Sequence, residues 1–451
     1  MFNKILIANR GEIAVRIIRA CRELGIATVA VFSEADRDAL HTQLADEAVC
    51  IGPAKSAGSY LNMANILSAA CITNAQAIHP GFGFLSENSV FASMCEECNI
   101  KFIGPDAKTI DLMGNKSNAR KLMIEAGVPV TPGSDGVIES VEKAKEFAEK
   151  FGYPVMIKAS SGGGGKGIRI VREPEELEES YNTAKNEAKA NFGDDSVYME
   201  KLIENARHIE VQILADEYGN VVHLGERDCS LQRRNQKVLE ESPSVAIDEE
   251  TRKGLGEAAV KAAKAANYKN AGTIEFLYSQ DGQYYFMEMN TRIQVEHPVT
   301  EMVTDIDLIK EQLKIAAGEH LSFEQKDVKI SGHSIECRIN AEDPENNFAP
   351  SPGEISYLLM PGGGNGLRID SAVYAGYTIP PYYDSMIAKV ITKGKTREEA
   401  IAKMKRALHE FVIEGIKTNI DFQLELLDNE MYRKGQFDTS SVTSWLEQAN
   451  K

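Results

Sequence analysis

Apolar runs and helical stretches alternate over the first hundred residues of the chain. The run "KILIAN" precedes a helical stretch from Gly11 to Leu24, and "TVAVFS" follows after Gly25. This order predicts a βαβ unit with parallel strands. Apolar strands at "AQAIHP" and "KFIG", separated by helical segments near 59–72 and 88–98, continue the alternation. The first βα turn, "ANRGEIA", lacks the GxGxxG pattern that binds a dinucleotide, so we place no nucleotide in this region.

A glycine-rich loop between two strands marks the middle of the chain. A charged helical stretch at 139–151 leads into "YPVMIKA", the loop "SSGGGGKG", the strand "IRIVR", a second charged helix and "SVYMEKLI". The strands "HIEVQILAD" and "VVHLGERDCS" follow, then a helix over 249–266 and a hairpin whose turn is "QDGQ". Paired strands with helices between the pairs predict an α+β domain.

The last part of the chain repeats the mixture of strands and helices. Strands are predicted at "HSIECRI", "GEISYLLM" and "MIAKVITKG", and an amphipathic helix from Thr396 to Glu414. A chain of 451 residues is long enough for roughly three domains. We predict an α/β and α+β protein with a Rossmann-like parallel-sheet domain at 1–113, a central domain at 114–329 whose residues 131–203 form a flap subdomain, and a C-terminal α+β domain at 330–451.

Acidic residues outnumber basic ones, 67 to 50, which gives a formal charge of −17. This balance repels nucleic acid and anionic membranes, so a bound phosphate needs a local basic pocket. No apolar run reaches the about 18 residues of a membrane span, and the first residues lack a cleavage site for export. Seven cysteines without regular spacing do not indicate a disulfide framework. We expect a cytoplasmic protein that binds neither nucleic acid nor membrane.

The segment 287–298, "MEMNTRIQVEHP", concentrates polar groups. If the chain is extended here, its even-numbered side chains share one face, namely Glu288, Asn290, Arg292, Gln294 and Glu296. An ordinary solvated strand face alternates in the same way, so the period of two alone leaves both interpretations open.

The loop in "KASSGGGGKGI" is suited to contact phosphate, because glycine lets the backbone approach a ligand closely. It is not a Walker A loop, since Lys166 is followed by Gly167 and a β-like run rather than by Ser or Thr and a helix. A flap over phosphates, with Lys158 and Lys166 supplying positive charge, fits better. A surface turn without a ligand is the alternative.

Glu275 and Glu288 stand at similar distances from the "QDGQ" turn, on opposite strands of the predicted hairpin. Side chains so placed are cross-strand neighbours, and two carboxylates there repel each other unless a cation lies between them. Mg²⁺ prefers a few carboxylates together with phosphate oxygens, and Asn290 adds a neutral oxygen. The alternative is that both acids pair with lysines at the surface.

Two further segments carry candidate ligand contacts. Glu200 and Lys201 in "MEKLI" follow an apolar strand, where the backbone of a connector can meet an adenine edge. The segment "ERDCSLQRRNQK" collects basic and amide side chains in an acidic chain, namely Arg227, Gln232, Arg233, Arg234, Asn235 and Lys237. Such a cluster forms either an anion pocket or a solvated face.

Five segments together resemble the biotin carboxylases of the ATP-grasp superfamily: "KILIANRGEIAVRIIRA", "IHPGFGFLSEN", "KASSGGGGKGIRIV", "ERDCSLQRRNQK" and "FMEMNTRIQVEHPVTE". The likeness covers nearly the whole chain in one order, and it is greatest to the biotin carboxylase subunit of bacterial acetyl-CoA carboxylase. The resemblance implies that the central domain is an ATP-grasp domain. It also implies an enzyme that uses ATP and bicarbonate, by way of carboxyphosphate, to carboxylate the N1′ nitrogen of biotin.

The resemblance further implies cofactors and partners. Two Mg²⁺ ions, or Mn²⁺, accompany ATP, and biotin is the carrier-bound substrate. The chain contains no Met-Lys-Met sequence, so biotin is expected on a separate biotin carboxyl carrier protein. Carboxyltransferase subunits of acetyl-CoA carboxylase, a homodimer and a role in malonyl-CoA and fatty acid synthesis are expected as well.

Site residues follow from the same resemblance. The nucleotide contacts that it implies are Lys116, Lys158, Gly164, Gly165, Lys166, Glu200, Lys201, Leu202, Ile203, His208, Gln232 and Asn235. The implied metal ligands are Glu275, Glu288 and Asn290. Bicarbonate is expected to meet Lys237, Arg292, Gln294, the Val295 backbone and the base Glu296, and Arg338 is expected to hold the ureido oxygen of biotin.

Three residues depart from the family pattern. Asn235 replaces the commoner histidine, Phe82 a frequent tyrosine, and Lys166 a frequent arginine. None of these changes removes a catalytic charge. The alternatives are another ATP-grasp ligase, such as a carbamoyl-phosphate synthetase half, which Lys237 and Arg338 argue against, and a nucleotide-binding protein without activity.

Overall fold

The computed structural model describes residues 1–134, 136–160 and 167–449. The first five strands are β1 (Lys4–Ile7), β2 (Ala27–Ser33), β3 (Glu47–Gly52), β4 (Ala77–His79) and β5 (Lys101–Phe102). They form a parallel sheet in the order β3–β2–β1–β4–β5, which confirms the Rossmann-like α/β prediction. The accompanying helices are α1 (Gly11–Glu23), α2 (Leu40–Leu44), α3 (Met63–Thr73), α4 (Ser89–Glu97) and α5 (Ala107–Gly114). The sequence analysis did not predict β3, a short strand in which Ile51 alone is buried.

A small antiparallel sheet follows the helix α6 (Lys116–Glu125). Its elements are α7 (Val141–Phe151), β6 (Val155–Ala159), β7 (Ile168–Val171), α8 (Leu177–Phe192) and β8 (Val197–Lys201). The central strand β6 pairs with β7 on one side and β8 on the other, so the predicted strands on either side of the glycine loop are confirmed. The loop itself, with Gly164, Gly165 and Lys166, lies outside the described residues.

The rest of the central region supplies strands and helices of a larger sheet. They are β9 (Arg207–Ala215), β10 (Val221–Arg233), β11 (Gln236–Ser242), α9 (Glu249–Ala265), β12 (Asn270–Tyr278), β13 (Tyr284–Asn290), α10 (His297–Thr304) and α11 (Leu308–Ala316). The predicted hairpin is β12 with β13.

The C-terminal region combines long and very short strands. Its strands are β14 (His333–Asn340), β15 (Glu342–Asp343), β16 (Ala349–Pro350), β17 (Gly353–Glu354), β18 (Tyr357–Leu359), β19 (Leu367–Ser371), β20 (Thr378–Ile379), β21 (Met386–Gly394) and β22 (Val412–Glu414). Its helices are α12 (Arg397–Glu410), α13 (Ile420–Asp428), α14 (Glu430–Arg433) and α15 (Ser441–Ala449). The predicted extension of α12 to Glu414 was wrong, because the chain after Glu410 turns extended and pairs as β22 with β18.

One antiparallel sheet joins the central and C-terminal regions. Its strand order is β13–β12–β9–β10–β11–β14–β21–β19. The strands β11 and β14 pair from Leu239 opposite Cys337 to Ser242 opposite Ser334. Hydrogen bonds of the backbone therefore cross from one predicted domain into the next.

The N-terminal sheet shares an apolar core with the central region. Ile5 and Ile7 of β1 belong to the same buried cluster as Leu313 of α11 and Ile293, which lies within the polar segment 287–298. This contact places the carboxyl ends of the parallel strands beside that segment. Within the described ranges, every helix is too short or too polar to span a lipid bilayer.

Candidate active site

A cavity of about 970 Å³ lies where the small sheet, the large sheet and the N-terminal region meet. Every predicted site residue within the described ranges lines it. These residues are Lys116, Lys158, Glu200, Lys201, Leu202, Ile203, His208, Gln232, Asn235, Lys237, Glu275, Glu288, Asn290, Arg292, Gln294, Val295, Glu296 and Arg338. Positions more than two hundred residues apart in the chain thus converge on one space.

The polar segment reaches the cavity by a different geometry from the one predicted. Strand β13 ends at Asn290, and the helix α10 begins at His297, so residues 291–296 are not an extended strand. Asn290 is the last residue of β13 in register with β12, opposite Thr273, and Pro298 occupies the first turn of the following helix, where proline is tolerated. The side chains nevertheless face one cavity, since buried Ile293 anchors the turn in the apolar core.

Lys237 of β11 lies at the centre of a buried group of carboxylates. Its Nζ is 2.6 Å from Oε2 of Glu210, 3.2 Å from Oε1 of Glu275 and 2.5 Å from Oε1 of Glu296. Burial alone would lower the pKa of Lys237, but the three carboxylates raise it well above its ordinary value. The ammonium ion therefore remains charged beside the cavity.

Glu296 lies between two cations. Its second oxygen, Oε2, accepts a hydrogen bond from Nη2 of Arg338 at 2.9 Å. Burial and the nearby carboxylate of Glu210 act to raise the pKa of Glu296, but Lys237 and Arg338 outweigh them and hold it below its ordinary value. Glu296 is therefore ionised at neutral pH and able to accept a proton.

Arg338 of β14 has a second acidic partner. Its Nε donates to Oε1 of Glu240 at 2.6 Å. Glu240 is fully buried, and that burial raises its pKa to about 7 against the opposing charge of Arg338. The guanidinium is held between Glu240 and Glu296, which fixes the direction of its remaining N–H groups.

Glu275 and Glu288 are paired in register across β12 and β13, as predicted. Oε1 of Glu275 accepts from Nδ2 of Asn290 at 2.8 Å, and Oε2 of Glu288 lies 3.1 Å from Nζ of Lys116. Two carboxylates in cross-strand register with an amide beside them form an oxygen donor set suited to Mg²⁺. The sequence also allowed an alternative in which these acids pair with lysines. For Glu288 that pairing is present, because Lys116 neutralises its carboxylate.

His208 of β9 faces the carboxylates of Glu275 and Glu210. Its Nε2 is 3.3 Å from Oε2 of Glu275 and 3.7 Å from Oε2 of Glu210, and these three residues are close enough together to hold a metal ion. Burial opposes the charged form, yet Glu275 raises the pKa of His208 to about 9. A protonated imidazole and a lysine thus neutralise the acidic group.

The far end of the cavity is lined by the small sheet. Nζ of Lys158 lies 2.5 Å from Oε2 of Glu200, whose other oxygen is 3.2 Å from Nη1 of Arg120. Lys201 turns its ammonium to the carbonyl oxygens of Gly152 and Tyr153. Apolar side chains close this end, namely Met156, Ile168, Tyr198, Leu277 and Met287. The combination of an apolar slot and a fixed connector backbone is suited to a planar heterocycle.

The basic cluster, for which an anion pocket and a solvated face were both open, is divided by the structure. Arg227 is fully buried and donates to Glu210 and Gln294, Arg233 stacks over the ring of Phe348, and Arg234 is exposed. Of its four cations, Lys237 alone lines the cavity. Arg233 ends β10, Arg234 lies in the turn that follows, and Lys237 lies on β11, so cations that are neighbours in sequence are separated in space.

Four residues that contact the site were not singled out from the sequence. They are Glu87, Glu210, Glu240 and Lys389. Each is charged and bound to a predicted site residue. Two signals were available, because Glu210 follows His208 by two residues on the same strand face, and Glu87 lies within the segment "IHPGFGFLSEN".

Comparison with known sequences agrees with this geometry. Residues 1–110 match the N-terminal domain of biotin carboxylase, 115–324 the ATP-binding domain of the carbamoyl-phosphate synthase L chain, and 336–447 the C-terminal domain of biotin carboxylase. Biotin carboxylase 1 of Bacillus subtilis is 64% identical over 99% of this chain and 99% of its own length. The chain belongs to the biotin carboxylase family. The resemblance seen in the sequence is thereby confirmed.

Solved structures of biotin carboxylases share the fold. A β,γ-ATP complex of biotin carboxylase from Campylobacter jejuni is 51% identical, with a TM-score of 0.96 over 98% of this chain and 99% of that one. The biotin carboxylase domain dimer of 2-oxoglutarate carboxylase from Hydrogenobacter thermophilus, in complex with MgADP, ADP and bicarbonate, is 52% identical, with a TM-score of 0.94 over 98% of each chain. Both matches support the α/β and α+β architecture of the biotin carboxylase fold.

Proposed function

We propose that this chain is an ATP-dependent ligase that carboxylates biotin with bicarbonate, and that its cavity is the active site. The observation that carries the proposal is the position of Glu296 between Lys237 and Arg338, beside the paired carboxylates Glu275 and Glu288. A base, an anion-binding lysine and a metal-binding pair then meet in one enclosed space. That combination suits the activation of a small acid by a nucleotide.

Bicarbonate is assigned to the space beside Lys237 and Arg292. Both cations form charge-assisted hydrogen bonds, and the planar fork of arginine suits a carboxylate-like face. Gln294 and the backbone of Val295 complete the pocket. An oxygen of bicarbonate attacks the γ-phosphate, the bond to the β,γ-bridging oxygen breaks and ADP leaves, while Glu296 accepts the proton of bicarbonate. Glu296 can do so because two neighbouring cations stabilise its ionised form.

Glu275, Glu288 and Asn290 would hold Mg²⁺. Bound there, the ion neutralises charge on the phosphates of the nucleotide and stabilises the charge that develops during transfer. The donor set fits, since hard oxygen ligands face one another across the two strands. Lys116 would leave Glu288 and turn to the phosphates when the ion takes its place.

The nucleotide is assigned to the end of the cavity formed by the small sheet. Lys116 and Lys158 face the phosphates. Further contacts to the nucleotide come from His208, Gln232, Asn235 and the flap residues Gly164, Gly165 and Lys166. The adenine is contacted by the connector between the two sheets, which consists of Glu200, Lys201, Leu202 and Ile203. The connector is fixed beside the adenine, because the side chain of Lys201 donates to backbone carbonyls and the backbone N–H groups of Lys201 and Leu202 donate to Pro132 and Pro154.

Biotin is assigned to the side of the cavity lined by Arg338. Its guanidinium, held by Glu240 and Glu296, points remaining N–H groups towards the cavity. Negative charge forms on the ureido oxygen when N1′ loses its proton, and a fixed arginine stabilises that charge as an oxyanion-hole donor does. Removal of the Arg338 side chain would therefore slow transfer to biotin.

The wider setting is proposed from the family. Biotin is presented on a biotin carboxyl carrier protein, and carboxyltransferase subunits of acetyl-CoA carboxylase use the product for malonyl-CoA and fatty acid synthesis in the cytoplasm. A homodimer is proposed because the related domain of 2-oxoglutarate carboxylase is a dimer. The domain limits 1–113, 114–329 and 330–451 are kept as part of the proposal.

The function is tested by ATP hydrolysis with Mg²⁺, with and without bicarbonate and free biotin. We expect hydrolysis that requires bicarbonate and is stimulated by biotin. Hydrolysis indifferent to both additions would instead fit a ligase for another acid, as in carbamoyl-phosphate synthetases. Binding of ATP without turnover would fit a nucleotide-binding protein and contradict the proposal.

The metal site is tested by Glu288→Gln. Loss of one carboxylate charge weakens the donor set, so the Mg²⁺ concentration for half-maximal hydrolysis is expected to rise about tenfold or more. A titration of activity with Mg²⁺ at saturating ATP measures the change. Glu149→Gln, at an exposed position of α7, is the matched control. An unchanged Mg²⁺ requirement in Glu288→Gln would remove Glu288 from the metal site.

A further inference from the structure

The segment 291–296 carries the proposed bicarbonate contacts, yet no strand or helix holds it. Its shape depends on side chains from other parts of the chain. Nη2 of Arg227 donates to Oε1 of Gln294 at 2.9 Å, and Nζ of Lys389 donates to the carbonyl oxygen of Val295 at 2.8 Å. Both partners are buried within the large sheet, which leaves the start of the segment to be fixed by another group.

That group is Glu87, from the loop of the N-terminal domain that precedes α4. Its Oε1 accepts hydrogen bonds from the backbone N–H of Thr291 at 3.0 Å and from the Thr291 hydroxyl at 3.3 Å. Its Oε2 accepts from Nε of Arg292 at 2.9 Å. One carboxylate therefore fixes the backbone where β13 ends and the guanidinium of the next residue.

These contacts determine how Arg292 can meet an anion. With Nε held by Glu87, Nη2 donates to Oδ1 of Asn290 at 3.0 Å, and Nη1 donates to the carbonyl oxygen of Ile293 at 3.3 Å. A long side chain loses rotamer entropy when it binds a ligand unless another contact has already ordered it. Glu87 is not among the residues that line the cavity, so it acts through Arg292 and not on the ligand itself.

We propose that Glu87 is a positioning residue, which holds Arg292 and the start of the 291–296 segment in the geometry that binds bicarbonate. The proposal rests on the proposed function. It gives the N-terminal domain a part in the reaction, exerted through Arg292. The hydrogen bonds of Glu87 to Thr291 and Arg292 lie on the bicarbonate side of the cavity.

The test is steady-state kinetics of Glu87→Gln with bicarbonate and MgATP varied separately. Glutamine keeps one acceptor oxygen but presents an amide donor to the second N–H group, so one of the two contacts is lost. We expect the KM for bicarbonate to rise about tenfold to a hundredfold, as loss of a hydrogen bond between charged groups predicts. The KM for MgATP is expected to change less than about twofold. Glu87→Ala should give a larger rise with the same selectivity.

Glu96→Gln is the control, because Glu96 is an exposed glutamate of α4 in the same domain. The Glu87 side chain is 41% exposed, so its replacement should leave the melting temperature close to that of the wild type. An unchanged KM for bicarbonate in both Glu87 variants would overturn the proposal. Equal rises in both KM values together with a lower melting temperature would also overturn it, by showing a general structural role. If the wild type itself shows no bicarbonate dependence, the proposed function fails instead.

Discussion

Replacing Glu296 with glutamine is expected to lower bicarbonate- and biotin-dependent ATP hydrolysis by about 10²- to 10⁴-fold, the contribution typical of a general base. Glutamine has nearly the same shape and keeps one acceptor oxygen, so it can accept from Lys237 or from Arg338 but not from both, and it cannot take a proton. Nucleotide binding, measured by fluorescence or calorimetry, should be retained, because Glu296 lies on the bicarbonate side of the cavity. The hydrolysis rate at saturating bicarbonate is the deciding measurement.

Glu250→Gln serves as the control for this substitution, since it removes the same charge at an exposed position of α9. Added bicarbonate should not restore the rate of Glu296→Gln, because the defect lies in proton transfer and not in binding. A rate within tenfold of the wild type would show that another group is the base.

The second large effect is expected at Lys237. Lys237→Gln removes the cation shared by Glu210, Glu275 and Glu296 and leaves three buried carboxylates facing one another. We expect the rate of carboxylation to fall about a hundredfold or more, because the bicarbonate pocket loses its ammonium group and the base loses the charge that keeps it ionised. The rate is measured by the formation of carboxylated biotin.

The pH dependence of Lys237→Gln provides a second measurement. Burial and Glu210 act to raise the pKa of Glu296, and Lys237 is the first of the cations that oppose them. Without it the pKa of Glu296 rises, so the carboxylate is protonated at a higher pH and the acidic limb of the rate profile moves upwards. Lys253→Gln, at an exposed position of α9, should leave both rate and profile unchanged. A wild-type profile with a lowered rate would mean that Lys237 acts on bicarbonate alone.

Much of the fold was predictable, because the order of strands and helices follows from short stretches of apolar and turn-forming residues. The alternating apolar runs and helices before residue 104 predicted the parallel sheet, and the Asp-Gly turn placed Glu275 opposite Glu288. Both predictions use short-range rules of strand period and turn type. Convergence of the site residues on one cavity was expected from the family resemblance and is seen in the structure.

The remaining features depend on contacts between distant parts of the chain. The period of two in 287–298 suggested a strand throughout, whereas β13 ends at Asn290, opposite Thr273 of β12, and Ile293 enters a core shared with the N-terminal sheet. Glu87 and Lys389 contact the site from about two hundred and about one hundred residues away. A period along one segment carries no information about such partners, which is why sequence patterns missed them.

The pairing of β11 with β14 determines which site residues move together when the cavity opens. Because those backbone hydrogen bonds continue the large sheet without a break, Lys237 and Arg338 lie on adjoining strands of one continuous sheet. The small three-stranded sheet is not part of the large sheet, so opening of the cavity to admit a nucleotide should move the small sheet alone and leave the distance between Lys237 and Arg338 constant. Nucleotide would then enter and leave beside the small sheet, while the residues that carry the reaction stay in place on the large sheet.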